Sequence, residues 1–429
     1  MKDKLLLKSV KVVNGVINLP GSKSITNRAL LLSSVCKGTT CLKNMLYSDD
    51  VKYMLKALTK LGIQYNFKKK KKICYVQGIG KNFFKINKIS LFLGNSGTSI
   101  RFLLSMLSLE KNNIILTGNK RMKERPIKHL VDALIQGGAK IKYLDEQGYP
   151  SILTKGNFIG GKIFLNGNIS SQFLSSLLMS APLSKKNTKI YIKNLLVSKP
   201  YIDLTINIMK SFGVKIINNE YKSFYIKGSQ QYISPKNYFI EGDASSASYF
   251  LAAAAIKGGQ VKVKGIGKNS IQGDIKFCNV LKKMGAYIKI KKNYIICKKK
   301  KNILNKIDMD FNDIPDVAMT VVILALKAKK VSYIRNIYNW RVKETDRLFA
   351  ISTELKKLGV KIFEGLDFIG ITPTKKLNHV NIETYDDHRI AMCFSLISLF
   401  NCDVTILKPN CVKKTFPKYF SKLQSIFYY

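Results

Sequence analysis

Five times along this chain a helical spacing of apolar residues runs into glycine and then into an alternation of Val, Ile, Tyr and Lys. The junctions are Leu61-Gly62-Ile63, Gly137-Gly138-Ala139, Phe212-Gly213-Val214, Met284-Gly285-Ala286 and Leu358-Gly359-Val360, and the glycine before each strand recurs at 76, 75, 72 and 74 residues. Glycine in that place stops a helix, and alternation after it is the period of a half-buried strand. A turn then leads to a second strand: Ile73 to Val76, Ile152 to Thr154, Phe224 to Lys227, Tyr294 to Cys297 and Phe368 to Thr372. Between these blocks, apolar helices open after Gly21, Gly94, Gly167, Gly242, Asp313 and Tyr385, the first four 73, 73 and 75 residues apart. Asp243, Asp316 and Asp387 recur at 73 and 71 residues. Runs such as Phe250 to Ile256 and Val317 to Leu326 have no polar face, so these helices are expected to be buried.

The unit is therefore helix, strand, helix, strand, strand, about 73 residues long, and six fit in 429 residues. The sixth has its second helix near Pro417 to Phe427 and no strands after it, so strands between Leu5 and Leu19 are expected to complete it. That closes the chain on itself and predicts an α/β protein of two domains, 1–20 plus 241–429 and 21–240, with a hinge near 19–21 and 239–241. Helix starts should gather on one face of each domain, and two facing domains would enclose a cleft.

The formal charge of +47 points at first to nucleic acid, but only eight of the 73 basic residues are arginine. Lysine is spread throughout, as a compositional bias would spread it, with runs such as Lys68 to Lys72 and Lys298 to Lys301. No specific nucleic-acid partner is expected. The arginines avoid those runs and fall in short loops or at helix starts, where a planar fork suits carboxylate and phosphate. Eight cysteines without a CxxC pair and three scattered histidines suggest neither a disulfide framework nor a metal site. The absence of an 18-residue apolar run predicts no membrane span, and the cytoplasm is the expected compartment.

The loops before the apolar helices carry the candidate chemistry. Leu19-Pro20-Gly21-Ser22-Lys23-Ser24-Ile25-Thr26-Asn27-Arg28 combines a glycine turn, hydroxyls and two cations at a helix start, where unpaired N–H groups favour an anion and a plain Ser/Thr helix cap is the alternative reading. Leu93-Gly94-Asn95-Ser96-Gly97-Thr98-Ser99-Ile100-Arg101 is a second such start, and Gly118 to Pro126 packs four basic side chains into a turn. Ser170-Ser171-Gln172 and Ser198-Lys199-Pro200-Tyr201 add donors. Acids enter with Asp313-Ile314-Pro315-Asp316, where Asp316 is also a helix-cap candidate, and with Asn339 to Arg347 and Asp386-Asp387-His388-Arg389; Lys413-Lys414 follows. Many cations with a few carboxylates fit small polyanionic substrates and proton transfer, as in a transferase or lyase acting on phosphorylated carboxylates.

These pieces closely resemble the EPSP synthases (3-phosphoshikimate 1-carboxyvinyltransferases) of the enolpyruvyl transferase family, specifically the bacterial class sensitive to glyphosate. The resemblance runs from Leu19 to Pro417 and is carried by Leu-Pro-Gly-Ser-Lys-Ser from Leu19, Leu-Gly-Asn-Ser-Gly-Thr from Leu93, Arg-Met-Lys-Glu-Arg-Pro from Arg121, Glu-Gly-Asp-Ala-Ser-Ser from Glu241, Arg-Val-Lys-Glu-Thr-Asp-Arg from Arg341 and Tyr-Asp-Asp-His-Arg from Tyr385. It implies two domains of three βαβαββ units each, an inside-out α/β barrel with the active site in the interdomain cleft. It implies transfer of the enolpyruvyl group of phosphoenolpyruvate to the 5-hydroxyl of shikimate 3-phosphate, in the shikimate pathway to aromatic amino acids. Shikimate 3-phosphate would meet Ser24 and Arg28 at its carboxylate, Ser170, Ser171, Ser198 and Lys343 at its phosphate, Gln172 and Tyr201 at its ring, and Asp316 and Asn339 at its hydroxyls. Phosphoenolpyruvate would meet Lys23, Asn95, Gly97, Arg125, Gln172 and Lys414 at its phosphate and Arg347 and Arg389 at its carboxylate. Lys23, Asp316 and Glu344 would be catalytic, with Glu344 needing a raised pKa to give a proton to C3. No metal, organic cofactor or membrane is implied, and a monomer is expected. Trp340 is expected to pack so as to position the Asn339 loop. The sister transferase acting on UDP-N-acetylglucosamine expects a cysteine within Lys120 to Arg125, and this chain has none between Cys74 and Cys278.

Overall fold

A computed structural model describes residues 3–80, 84, 88–300 and 302–429. Met1 and Lys2 of the N-terminal segment and Lys301 of the second lysine run lie outside the described residues. The chain divides into two compact units, Gly21–Ile240 and Met1–Pro20 with Glu241–Tyr429.

In the Gly21–Ile240 unit, three central helices, Lys23–Val35, Gly97–Leu107 and Ser171–Ser180, are buried along almost their whole length. Three four-stranded sheets accompany them, each opening with a parallel pair and continuing antiparallel. Gly161–Asn166, for example, runs parallel to Thr188–Lys193, which pairs antiparallel with Ser223–Ile226. The second helices of the repeat, Asp49–Lys60, Lys128–Gln136 and Lys199–Ser211, run out at Gly62, Gly138 and Gly213, whose φ angles are 84°, 94° and 83°. The left-handed conformation that the sequence pattern demands is present at each stop.

The other unit repeats the plan around Ala244–Lys257, Pro315–Ala325 and His388–Phe394, again buried throughout or nearly so. Apolar side chains on every side of such a helix have no stable place facing water, which is why it forms the core. Gly285 and Gly359 end its two outer helices, with φ of 97° and 82°.

The N-terminal segment divides its strands among three sheets instead of giving them all to the sixth repeat, and Val12–Val13 pairs antiparallel with Phe427–Tyr428, a short strand that does follow the last helix. Lys4–Leu7 pairs antiparallel with Val404–Leu407 and completes a three-stranded sheet there. Gly15–Asn18 pairs parallel with Gln260–Lys264 in the sheet of the fourth repeat. Likewise Asn237–Phe239, just before the chain leaves the other unit, pairs parallel with Lys37–Lys43 of the first repeat. Each crossing thus falls between a strand and the following helix, and each departing strand supplies the parallel partner that its own unit's first repeat lacks. The second helix of the sixth repeat is the six-residue Tyr419–Gln424. One ordered cluster was hidden in the linear lysine pattern: Lys162, Lys189 and Lys193 lie over the stacked Phe164 and Tyr191 rings. Among the described residues, no helix is long and apolar enough to cross a membrane.

Candidate active site

In the Gly21–Ile240 unit the candidate residues sit where the central helices begin. Ser22 caps the first, its Oγ 3.5 Å from the Ile25 N–H. Lys23 follows and pairs with buried Asp50 at 3.3 Å. One turn on, Arg28 is buried; its Nε donates to Thr205 Oγ1 at 2.7 Å, Nη1 to the Ser24 carbonyl at 3.1 Å and Nη2 to Ser175 Oγ at 3.1 Å. The Phe102 ring lies 4.9 Å from its guanidinium carbon. These partners are neutral, and burial lowers the Arg28 pKa to about 10, with Tyr201 acting in the opposite sense. A buried cation without a countercharge is costly, and a bound carboxylate would relieve that cost.

The second helix start is organised by Arg125. Its Nη1 donates to Asn95 Oδ1 at 2.9 Å and to the Asn95 carbonyl at 3.1 Å. Gly97 opens the helix with the guanidinium against its Cα: a Cβ there would lie 2.7 Å from Arg125 Nη2 and 2.8 Å from Cζ. The other charges of the Gly118–Pro126 turn separate from it. Arg121 pairs with Glu124 and Lys123 with Asp145, all at solvent-accessible positions, while Arg125 is buried. Ser170 caps the third helix through the Gln172 N–H, 3.3 Å from its Oγ. Gln172 accepts from Arg101 at 2.7 Å and donates to Thr98 at 3.3 Å, so Arg101, absent from the expected set, fixes the amide. Ser171 is buried at that start. Ser198, with φ of 56°, caps the Lys199–Ser211 helix, on which Tyr201 gives its carbonyl to Thr205 Oγ1 at 2.7 Å.

In the other unit the hub is Arg347, 1% exposed. Its Nε donates to Asp387 at 2.8 Å, Nη1 to Asp316 at 3.0 Å and Nη2 to Glu344 at 2.9 Å. Burial would lower its pKa, but Asp387, Glu344 and Asp316 outweigh that and raise it. Asp316 is not a helix cap: it is the second residue of the Pro315–Ala325 helix, and its other oxygen accepts from Arg389 at 2.7 Å. Burial favours the neutral acid there, but Arg389, Lys343 and Arg347 hold the carboxyl well below the usual range. Asp387 does cap its helix, accepting the Arg389 N–H at 2.8 Å, with His388 Nδ1 at 3.5 Å from it.

Glu344 carries its pair to Arg347 and lies 4.0 Å from Lys414 Nζ. Asn339 is buried, with no hydrogen-bond partner for Oδ1 among the described residues. Trp340 donates Nε1–H to the Pro315 carbonyl at 2.8 Å, tying the Asn339 loop to the helix that carries Asp316. Asp274 was also missed. Buried and accepting from Ser245 Oγ, it is pushed up to about 7 by burial first and the Asp316 charge second. Its signal lies only in tertiary packing. Among the described residues, no group of His, Cys, Asp and Glu is arranged to hold a metal ion.

Each unit thus gathers cations at its helix starts, with hydroxyls prominent in the Gly21–Ile240 unit and a cluster of carboxylates in the other. Comparison with known proteins agrees with that chemistry. The family model of EPSP synthase (3-phosphoshikimate 1-carboxyvinyltransferase) matches residues 7–423. The chain is 61% identical over 430 residues to the 3-phosphoshikimate 1-carboxyvinyltransferase of Buchnera aphidicola subsp. Cinara cedri, covering 100% of this chain and 98% of that protein. It is 57% identical over 422 residues to the one from Xenorhabdus nematophila, with 98% of each covered. A solved EPSP synthase from Acinetobacter baumannii superposes with a TM-score of 0.82 at 25% identity, over 99% of this chain and 98% of that one. Matched nearly end to end by the family model, by these relatives and by the solved fold, the chain belongs to the EPSP synthase family.

Proposed function

We propose that this chain transfers the enolpyruvyl group of phosphoenolpyruvate to the 5-hydroxyl of shikimate 3-phosphate, releasing phosphate, as a cytoplasmic monomer of aromatic amino-acid biosynthesis. The observation that carries the reading is the Asp316 carboxylate held between two buried or nearly buried guanidiniums, Arg347 and Arg389. A substrate carboxylate is the natural replacement for it. When phosphoenolpyruvate takes the two arginines, Asp316 loses the cations that suppress its basicity and becomes a competent base.

The remaining assignments follow the family resemblance, and charge and donor type support them. Arg28, with Ser24 at its side, receives the shikimate carboxylate. Ser170, Ser171, Ser198 and Lys343 bind its phosphate, Gln172 and Tyr201 line the ring, and Asn339 meets a ring hydroxyl. Lys23, Asn95, Gly97, Arg125, Gln172 and Lys414 receive the phosphate of phosphoenolpyruvate.

Asp316 accepts the 5-hydroxyl proton as that oxygen bonds to C2. C3 gains a proton from Glu344, which must first exchange its Arg347 pair for a proton. A tetrahedral ketal phosphate forms. Loss of a C3 proton and cleavage of the C2–O bond to phosphate give 5-enolpyruvylshikimate 3-phosphate, with Lys23 stabilising the leaving group.

The test is phosphate release from the purified protein. Release requiring both substrates, and lost in folded Lys23→Ala and Asp316→Asn, supports the reading. Release from phosphoenolpyruvate only when UDP-N-acetylglucosamine is the acceptor would sink it.

A further inference from the structure

The catalytic reading leaves Asp274 unused. It lies on the short Gly273–Lys276 turn, 4% exposed, with Ser245 of the Ala244–Lys257 helix donating its hydroxyl to Oδ2. The turn is pinned in place. The Gln272 side chain accepts the Ala244 N–H at 3.1 Å and donates to the Gly242 carbonyl at 2.8 Å and to Glu241 at 3.0 Å. Charged groups face Asp274 from all three central helix starts of this unit: Asp243 from the first, Asp316 from the second and Arg389 from the third.

The local charge balance makes the protonation state of Asp274 matter. Asp243 and Asp316 bring negative charge to Asp274 and Arg389 brings positive charge, while Glu241 holds the turn through Gln272 and Lys276 at the end of the turn pairs with Asp313. Ionised, Asp274 adds one more negative charge beside the arginine that is to hold an anion. Neutral, it does not.

We propose that Asp274 is a positioning residue for phosphoenolpyruvate: it keeps its proton in the binding-competent enzyme, and its ionisation offsets the pull of Arg389 on the substrate carboxylate. The inference rests on the reading that Arg347 and Arg389 hold that carboxylate. Burial, then the Asp316 charge, push the group up to about 7, while Ser245 and Arg389 act against them and Asp243 adds to them. Loss of the proton is therefore expected near neutral pH. A substrate that prefers the protonated form binds more weakly above that pH, by up to about ten-fold per pH unit for one proton.

The experiment is the KM for phosphoenolpyruvate from about pH 6 to about pH 9 at saturating shikimate 3-phosphate, in wild type and Asp274→Asn. The substrate's own phosphate titrates alike in both, so the ratio of the two profiles reads the protein. Above about pH 7, wild-type KM should climb away from that of Asp274→Asn. Ser245→Ala removes a donor that favours the carboxylate, so its climb should move to higher pH. Infrared difference titration reads the proton itself, as a protonated-carboxyl band lost as pH rises through the same range and missing from Asp274→Asn. Parallel KM profiles, or no such band in wild type, overturn the inference. If neither protein releases phosphate, the catalytic reading fails, while the infrared titration still decides where the Asp274 proton resides.

Discussion

Truncating Arg347 would strand three carboxylates, Asp316, Glu344 and Asp387, in a buried setting. Arg347→Ala should cost about 3–5 kcal/mol of stability in urea unfolding, so its loss of activity would not by itself report on substrate binding. Asp316 gives a signed pH expectation. Its carboxyl is held low in the fold, so its contribution is complete above the ordinary aspartate range and fades as pH falls toward the folded value. The acid limb of stability below about pH 4 should therefore be shallower in Asp316→Asn than in wild type. At Gly97 the prediction is local: a methyl group at 2.7 Å from Arg125 Nη2 must displace the guanidinium. Gly97→Ala should raise the KM for phosphoenolpyruvate roughly ten-fold while leaving that for shikimate 3-phosphate near wild type, a loss of about one charge-assisted hydrogen bond.

Helix stops were legible from the sequence because a stop is decided within a few residues. Gly62 tests this cleanly: its φ is 84° and a Cβ would meet nothing within 4 Å, so only backbone strain is at stake. Gly62→Ala should cost about 1 kcal/mol in urea unfolding, and Gly62→Asn less. The central helices were equally legible, since an all-apolar helix can only be buried. Leu103 on the second of them is fully buried, and Leu103→Ala should cost about 2–5 kcal/mol. The destination of Gly15–Asn18 was not legible: alternation identifies a strand but does not name its partner, and the parallel register with Gln260–Lys264 is a long-range choice. The repeat phase also misled by a few residues at Asp316, where proline takes the first helical position and the carboxylate points to arginines instead of capping.

Across the whole molecule, a net charge of +47 remains a burden that no local pairing removes. Self-repulsion weakens as the Debye length shortens, so the urea midpoint should rise when salt goes from about 10 mM to about 150 mM. The candidate loops were legible because cations, hydroxyls and glycine recur together at one phase of the repeat, and the family resemblance gave each residue its place. Asp50 and Asp274 escaped because each is recognised only by what it touches, Lys23 and Ser245, and Arg101, though part of the second helix start, shows its hold on Gln172 only in the fold. The sequence by itself determined the repeat, the helix and strand alternation, the glycine stops and the residue types at each helix start, since all depend on neighbours along the chain. Only the tertiary structure decided which acid meets which base. Asp316 and Asp387 reach Arg347 from 31 and 40 residues away, and the burial that decides which acid keeps its proton exists only once the helix starts are packed together.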